Sequence, residues 1–298
     1  MAWLQLETVN GQADTAPLEA ACTELGAVAI SLRDAADSPI LEPAPGTTPA
    51  WPATILTALF PAELGQADIE AALAPLLPAH ELKFMLLADR DWQADWQATL
   101  QPRQFGDRLW VVPPALEAPA AAATVVRLQP GLAFGTGEHA TTAMCLRWLE
   151  AGSLAGRQVL DYGCGTGLLS IAALALGAAE ATAVDIDPQA LAATRANAEN
   201  NGCGDKLRVA AAGEVATDAR YDVLVANILS GTLIELAPQL AGYLRPGAAV
   251  ALTGILARQA NLVIAAWQRY AELAVHEHVD DWVLLSGYTH QIPDADVY

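Results

Sequence analysis

Hydrophobic and polar positions in the first 90 residues switch between a period of two, typical of strands, and a period near 3.6, typical of helices. The first three predicted elements are a strand at Trp3–Val9, a helix at Ala16–Leu25 closed by Gly26, and a strand at Ala27–Leu32. The same order then repeats as a strand, a helix and a strand at Thr54–Phe60, Gln66–Leu77 and Leu82–Leu87. Two such units predict a small ferredoxin-like α+β domain over residues 1–90.

The pattern changes between residues 91 and 123, which we interpret as a linker containing a short helix. Trp92 and Trp96 are spaced one helical turn apart, and a short strand is predicted at Leu109–Val112. Pro113-Pro114 and a run rich in alanine and proline follow, as in interdomain connections. The two tryptophans share one helix face, which favours packing against a neighbouring domain over docking of a partner.

From residue 124 to residue 298, short apolar strands alternate with helical segments. Such alternation predicts an α/β domain with a doubly wound parallel sheet. The expected strands are Arg157–Asp161, Glu180–Asp185, Lys206–Ala210, Tyr221–Ala226, Ala248–Thr253, Leu273–Val279 and Trp282–Tyr288. Only Asp280-Asp281 separates the last two strands, a spacing that predicts an antiparallel hairpin. A Rossmann-like parallel sheet that ends in such a hairpin resembles the class I methyltransferase fold.

Composition narrows the range of partners and locations. The 298-residue chain carries a formal charge of −19, which disfavours nucleic acid and anionic membranes and favours a basic protein as partner. The four cysteines include no Cys-x-x-Cys pair, so no zinc site or disulfide framework is predicted. No uncharged apolar run approaches the roughly 18 residues of a membrane span, and no signal peptide is recognisable. We therefore expect a cytoplasmic protein, as a monomer, although no pattern in the chain sets the oligomeric state.

A glycine loop joins the first strand of the α/β domain to its helix. Gly163, Gly165 and Gly167 would let backbone approach a ligand closely, and amides at the helix start suit a carboxylate or a phosphate. The nicotinamide dinucleotide fingerprint requires a third glycine at position 168, where this chain has Leu168. The spacing therefore favours S-adenosylmethionine as the cofactor and leaves a dinucleotide as the second possibility.

Acidic residues flank this loop. Asp185 ends the next strand, about 20 residues beyond the glycines, where a carboxylate accepts hydrogen bonds from ribose hydroxyls. Asp187 precedes Pro188 and is better explained as a helix N-cap. Asp161 lies directly before the loop, and it either orients the loop amides or contacts an ammonium group of the ligand.

Two further segments complete the predicted site. Asn227 ends the fourth strand of the sheet, where its side chain could accept a hydrogen bond from an amine and orient it toward a methyl donor. Upstream, a glycine-dense loop at residues 131–142 contains Phe134 and precedes a predicted helix at Ala143–Glu150. Two interpretations of this loop are open. It forms a lid over a ligand, or it only supplies Thr141 or Thr142 as the N-cap of the helix. His139 lacks partners at metal-ligand spacing, so no metal site is predicted.

Several of these runs together resemble the family of bacterial ribosomal protein L-eleven methyltransferases, PrmA, over nearly the whole chain. The similar runs are Gly131–Thr142, Asp161–Gly167, Asp185–Pro188, Val225–Leu229, Leu252–Leu256 and Phe105–Val111. The resemblance implies cofactor contacts from Thr142, Gly163, Asp185 and Asn227, to which the residues themselves add Asp161, Gly165 and Phe134. It also implies that the front domain recognises the ribosomal protein.

By the same resemblance, the substrate amines are lysine side chains and the N-terminal amine of that protein, each methylated several times. Many amine methyltransferases have Asn-Pro-Pro-Tyr, whose aromatic ring packs on the target, whereas Ile228-Leu229 follow Asn227 here. Phe134 either supplies the missing ring or packs in the core. Two other classes of protein remain as alternatives: an NAD-dependent oxidoreductase, and a non-catalytic adaptor with a methyltransferase-like domain.

Overall fold

The computed structural model describes residues 2–11, 14–36, 51, 53–77, 81–88, 101–128 and 139–290. Its contacts divide the chain into two compact units, Met1–Ala98 and Thr99–Tyr298. Trp92 and Trp96 of the predicted linker helix lie outside the described residues. No helix in the described ranges is long and apolar enough to cross a membrane. The four cysteines all fall within those ranges and carry free thiols.

The first unit has the predicted ferredoxin-like fold. Its elements in chain order are β1 (Trp3–Asn10), α1 (Ala16–Glu24), β2 (Ala29–Asp34), β3 (Thr54–Pro61), α2 (Gln66–Leu73) and β4 (Lys83–Leu87). The strands form one antiparallel sheet in the order β2-β3-β1-β4. Helix α2 ends earlier than the predicted Leu77, because Pro75 lacks the N–H that a continuing helix would donate.

Alternation along the strands gives this sheet two different faces. One face, which includes Leu6 and Phe60, packs with both helices in the core of the unit. The intervening side chains form what we call the open sheet face, and they are half-buried or exposed. Register places the following residues on that face: Trp3, Gln5, Glu7, Val9, Ile55, Thr57, Leu59, Met85 and Leu87.

The second unit begins with a three-stranded sheet made partly from the predicted linker. Its strands are β5 (Arg103–Phe105), β6 (Leu109–Val112) and β7 (Thr124–Arg127). β5 and β6 are antiparallel, and β6 and β7 are parallel. Phe105, Leu109 and Val111 are buried in the core of this unit. The described part of residues 91–123 is therefore folded into the second unit rather than connecting two domains, because these apolar side chains need a core in which to be buried.

The large sheet has seven strands and the predicted class I methyltransferase topology. The strands are β8 (Gln158–Tyr162), β9 (Glu180–Asp185), β10 (Leu207–Ala211), β11 (Tyr221–Asn227), β12 (Leu244–Leu256), β13 (Ala271–Val279) and β14 (Trp282–Thr289). Their order is β10-β9-β8-β11-β12-β14-β13, with the first five parallel and β14 antiparallel to both neighbours. The predicted hairpin at Asp280-Asp281 is confirmed. The strand order reverses between β8 and β11, the position where such sheets bind ligands.

Helices cover both faces of this sheet. They are α3 (Ala140–Ala151), α4 (Leu168–Ala175), α5 (Pro188–Asn200), α6 (Ser230–Glu235), α7 (Ala237–Gly242) and α8 (Ala260–Trp267). Val159 of β8 packs on the side of α3, α4 and α5, whereas its neighbour Leu160 packs on the side of the other three. Burial on both faces explains why these strands read as continuous apolar runs in the sequence.

A close backbone contact holds the turn that follows β11. Gly163 and Gly254 both have positive φ angles, 81° and 81°, and each lies against Ile228. A Cβ atom on Gly163 would come within 2.2 Å of Ile228 Cγ2, and one on Gly254 within 2.4 Å of the Ile228 carbonyl oxygen. The turn is therefore wedged between two glycine positions, and this wedge holds the preceding residue, Asn227, at the edge of the sheet.

We expect Gly254→Ala to lower the free energy of unfolding by roughly 3 kcal/mol or more, because a backbone clash adds to the cost of a left-handed alanine. The matched control is Gly156→Ala, since Gly156 also has a positive φ of 74° but has no atom within 4 Å of an added Cβ. The control should lose only roughly 1 kcal/mol. Urea unfolding followed by circular dichroism measures both, and equal losses would contradict the wedge.

Candidate functional site

The carboxyl ends of three neighbouring strands form the candidate site. Tyr162, the last residue of β8, pairs with Val184 of β9 and with Ala226 of β11. The residue after each of these therefore lies at the same edge of the sheet. This edge carries three of the predicted site residues, Gly163, Asp185 and Asn227.

Hydrogen bonds within the protein already occupy the amides of the glycine loop. Gly163 and Cys164 both donate their N–H to the Val184 carbonyl, at 2.7 and 3.0 Å, and Gly167 donates to the Cys164 carbonyl at 2.8 Å. Gly165 donates to Asp185 Oδ2 at 2.9 Å. These four amides are therefore occupied by acceptors within the protein. The prediction that amides at the helix start suit a carboxylate concerns the residues that follow Gly167, of which Ser170 donates its N–H to the Asp161 carboxylate.

The carbonyls of the same loop are bound by polar side chains of α5, which the sequence did not single out. Thr194 donates to the Gly165 carbonyl at 3.0 Å, and buried Asn197 donates to the Thr166 carbonyl at 2.9 Å. Thr194 also contacts the Cys164 thiol at 3.4 Å. Burial raises the pKa of that thiol, so Cys164 is not a nucleophile. The sequence does contain a signal for these contacts, because Thr194 and Asn197 are two polar residues, three apart, on the buried face of a predicted helix.

Asp161 is fully buried beneath the loop, at the first turn of α4. Its Oδ2 accepts two hydrogen bonds from Ser170, from the backbone N–H at 3.0 Å and from the hydroxyl at 2.6 Å. A carboxylate at this position interacts favourably with the partial positive charge at the start of a helix. Asp161 Oδ1 is buried and has no hydrogen-bond partner among the described residues. The observed contacts of Asp161 are with the first turn of α4 and not with the loop amides, so neither of its two predicted roles is among them.

Burial raises the pKa of Asp161 to about 6. Desolvation is the largest cause, the two hydrogen bonds from Ser170 oppose it, and the negative charge of Asp185 adds to it. The carboxyl is therefore mostly ionised at neutral pH, and it carries a negative charge in a place that is closed to water.

The side chain of Asp185 joins two loops at the edge of the sheet. Besides the bond from Gly165, its Oδ1 accepts the N–H of Asp187 at 3.0 Å. Each carboxylate oxygen keeps a further lone pair for a ligand donor. Asp187 itself accepts the N–H of Gln189 at 2.8 Å and caps α5, which confirms its structural role. Ile186 between them is 86% exposed, and the sequence did not single out this apolar side chain beside Asp185.

Asn227 is bonded to the first turn of α3. Its Nδ2 donates to Thr142 Oγ1 at 3.2 Å, which leaves the amide oxygen available to accept. Helix α3 begins at Ala140, three residues before the predicted start, and its N-cap is His139 rather than Thr141 or Thr142. Both threonines are only 1% exposed, because they lie inside the first turn instead of before it.

The remaining predicted residues fall outside what the structure describes. Phe134 and the preceding glycine-dense part of its loop belong to residues 129–138, which are not described. The described residues contain no group of three His, Cys, Asp or Glu side chains that could hold a metal ion.

Known proteins resemble this chain over nearly its full length. The family described as ribosomal protein L11 methyltransferase (PrmA) matches residues 2–290. A ribosomal protein L11 methyltransferase of Pseudomonas aeruginosa strain LESB58 is 47% identical over 291 residues, which cover 96% of this chain and 98% of that protein. The Hahella chejuensis protein of the same name is 44% identical over 288 residues, which cover 96% of this chain and 98% of that protein.

The chain is also similar to a protein of known structure. The crystal structure of ribosomal protein L11 methylase from Lactobacillus delbrueckii subsp. bulgaricus aligns with a TM-score of 0.59 and 28% sequence identity. The alignment covers 64% of this chain and 100% of that chain. Sequence and structure thus lead to the same family.

The raised pKa of Asp161 predicts a pH-dependent loss of stability that Asp161→Asn removes. The folded-state pKa of about 6 exceeds the ordinary value of 3.8, so the folded protein binds more protons between those two pH values. The contribution of Asp161 to the free energy of unfolding therefore falls as pH rises through that window, and it stays constant above it. Between pH 5.0 and 7.5 the wild type should lose on the order of 1 to 2 kcal/mol relative to Asp161→Asn.

Urea unfolding at the two pH values measures this difference. The matched control is Asp187→Asn, which replaces an exposed aspartate by a residue that caps a helix equally well. A difference between Asp161→Asn and wild type that is the same at pH 5.0 and 7.5 would show that Asp161 titrates normally.

Proposed function

Because the chain belongs to the ribosomal protein L11 methyltransferase (PrmA) family, we propose that it methylates amines of ribosomal protein L11 with S-adenosylmethionine as the methyl donor. The amines are lysine side chains and the N-terminal α-amine. The observation that carries this proposal is the position of Asn227: its Nδ2 is bonded to Thr142, and it lies at the edge of the sheet that also carries Gly163 and Asp185.

The chemistry of the edge fits the proposed cofactor. Asp185 keeps lone pairs for ribose hydroxyls, and exposed Ile186 offers an apolar surface to an adenine ring. Gly163 and Gly165 have no side chains to obstruct the ligand. The buried charge of Asp161 favours the cationic amino-acid end of the molecule, and Thr142 is bonded to Asn227 at the same edge. Phe134 remains a predicted contact.

The same charge argues against the nicotinamide alternative. In dinucleotide-binding folds the pyrophosphate lies at the start of the first helix. Here the Asp161 carboxylate already accepts the Ser170 N–H at the start of α4. A second anion at that position would be repelled by a buried negative charge, and four of the loop amides are not free to bind it.

Positioning of a neutral amine carries most of the catalysis. S-adenosylmethionine supplies an electrophilic methyl group, so the protein must hold the amine lone pair in line with it. Deprotonating a lysine at pH 7 costs about 4.6 kcal/mol, and deprotonating an α-amine costs about 1.4 kcal/mol. Burial among apolar side chains such as Ile228 lowers the pKa of an amine. Asn227 Oδ1 accepts a hydrogen bond from the neutral amine and orients it, and no dedicated general base is required.

The charge of the chain suits a basic protein substrate. Residues 1–98 contain 14 acidic and 3 basic residues, a net charge of −11 out of the total of −19. We assign recognition of the ribosomal protein to this first unit and assign catalysis to the second. The acidity disfavours direct binding of nucleic acid, and the four free thiols suit a reducing cytoplasm. A monomer suffices for this function.

Removing the orienting amide should reduce methyl transfer. Asn227→Ala should lower kcat for ribosomal protein L11 about 100-fold, because the amine loses the acceptor that aligns it. Intact-mass spectrometry of L11 follows the reaction, and calorimetry measures cofactor affinity. The matched control is Asn200→Ala at the exposed end of α5. Full turnover with unchanged cofactor affinity in Asn227→Ala would refute the role of Asn227. A wild-type protein that binds the cofactor but methylates no protein would favour the alternative of a non-catalytic adaptor.

Recognition by the first unit is tested by two neighbouring residues of β4 that point to opposite faces of the sheet. Met85 is 52% exposed on the open sheet face, and Leu86 is 67% exposed on the helix-bearing face. Met85→Lys should raise KM for L11 about tenfold and leave KM for S-adenosylmethionine unchanged, because it adds a cation where a basic protein would bind. The matched control is Leu86→Lys, which makes the same change on the other face and should leave both KM values unchanged. If the two variants raised KM for L11 equally, recognition by the open sheet face would be contradicted.

A further inference from the structure

His139 connects Trp282 of the large sheet to the turn of α3 that contacts the Asn227 amide. Its Nδ1 lies 2.7 Å from Thr141 Oγ1 and accepts the Thr141 N–H at 3.4 Å. The imidazole therefore replaces the serine, threonine or aspartate that usually caps a helix.

The ring is also held from the side by an aromatic residue. The centroids of the His139 and Trp282 rings are 5.1 Å apart, with the planes at 71°, an edge-to-face arrangement that stabilises aromatic pairs. Trp282 begins β14 and pairs with Leu256 of β12 and with Val279 of β13. The histidine thus lies against a strand that is paired on both sides.

Helix α3 is held at two other places by ion pairs, and neither fixes its first turn. Arg108 Nε contacts Glu150 Oε1 at 2.8 Å near the end of the helix. Arg147 Nε contacts Glu277 Oε1 at 3.0 Å in its third turn. The first turn is held instead by the contacts of His139 with Thr141 and by the hydrogen bond between Thr142 and Asn227.

We infer that His139 is a positioning residue for methyl transfer: it fixes the first turn of α3 against Trp282, and so fixes the Thr142 hydroxyl that sets the orientation of the Asn227 amide. The chain of contacts runs from Trp282 to His139, from His139 to the first turn of α3, and from Thr142 to Asn227. If His139 served only as a helix cap, replacing it would lower the stability of the protein and leave kcat unchanged. This inference rests on the proposed function, since it concerns the residue that orients the substrate amine.

Two amides of different length test this inference. His139→Asn restores an acceptor at the distance that N-caps use, whereas His139→Gln carries its oxygen one methylene farther from the Thr141 N–H. In the full-length protein, His139→Asn restores the cap but not the ring contact with Trp282, so kcat should fall by no more than about threefold. His139→Gln and His139→Ala lose both contacts and should lower kcat about tenfold or more. Cofactor affinity by calorimetry should fall in the same order, because Thr142 is bonded to Asn227 at the edge that forms the proposed cofactor site.

The stability control is Asp222→Ala in the second unit, which removes a side-chain acceptor from the Gln158 N–H at the amino end of β8, opposite the candidate site. It should lower the thermal midpoint by an amount similar to His139→Ala and leave kcat unchanged. Equal kcat values for the Asn and Gln variants, or kcat losses that only follow the thermal midpoint across all variants, would overturn the inference. If wild type binds S-adenosylmethionine but methylates nothing, the proposed function fails, and the order of cofactor affinities still decides the role of His139.

Discussion

The buried carboxylate of Asp161 at the first turn of α4 is the interaction on which the candidate site depends. Related α/β folds leave the start of this helix free for a phosphate, but here Asp161 binds it from inside the protein through Ser170. One N–H of the helix start is thus bonded without a ligand, and the negative charge lies in the strand that leads into the loop. We propose that this charge favours a cationic group over an anion beside the loop.

The loop itself is held on every side by the protein. Its amides donate to β9 and to Asp185, and its carbonyls accept from Thr194 and Asn197 of α5. Such a loop is rigid before any ligand arrives, which reduces the entropic cost of binding. The same rigidity extends across the sheet edge, because Ile228 is wedged against Gly163 and Gly254.

Catalysis by positioning requires this rigidity. When no general base takes part, the rate depends on how accurately the amine is held in line with the methyl group. Asn227 is constrained from two directions, by the wedge at its own turn and by Thr142 on α3. The acidic first unit is the proposed site for binding the basic substrate, so binding and alignment are divided between the two units of the chain.

The sequence alone determined the order of strands and helices, the ferredoxin-like and class I methyltransferase folds, and the residues at the carboxyl edge, because these follow from local periodicity and from the glycine and asparagine positions. The role of Asp187 as a helix cap was likewise predictable, because an aspartate directly before a proline is typical of a helix N-terminus. Only the tertiary structure decided that Phe105 and Leu109 of the expected linker enter the core, that His139 caps α3, and that Ser170, Thr194 and Asn197 hold the loop. Each of these depends on a contact between residues far apart in the chain or on the exact helix start, and local patterns do not encode either.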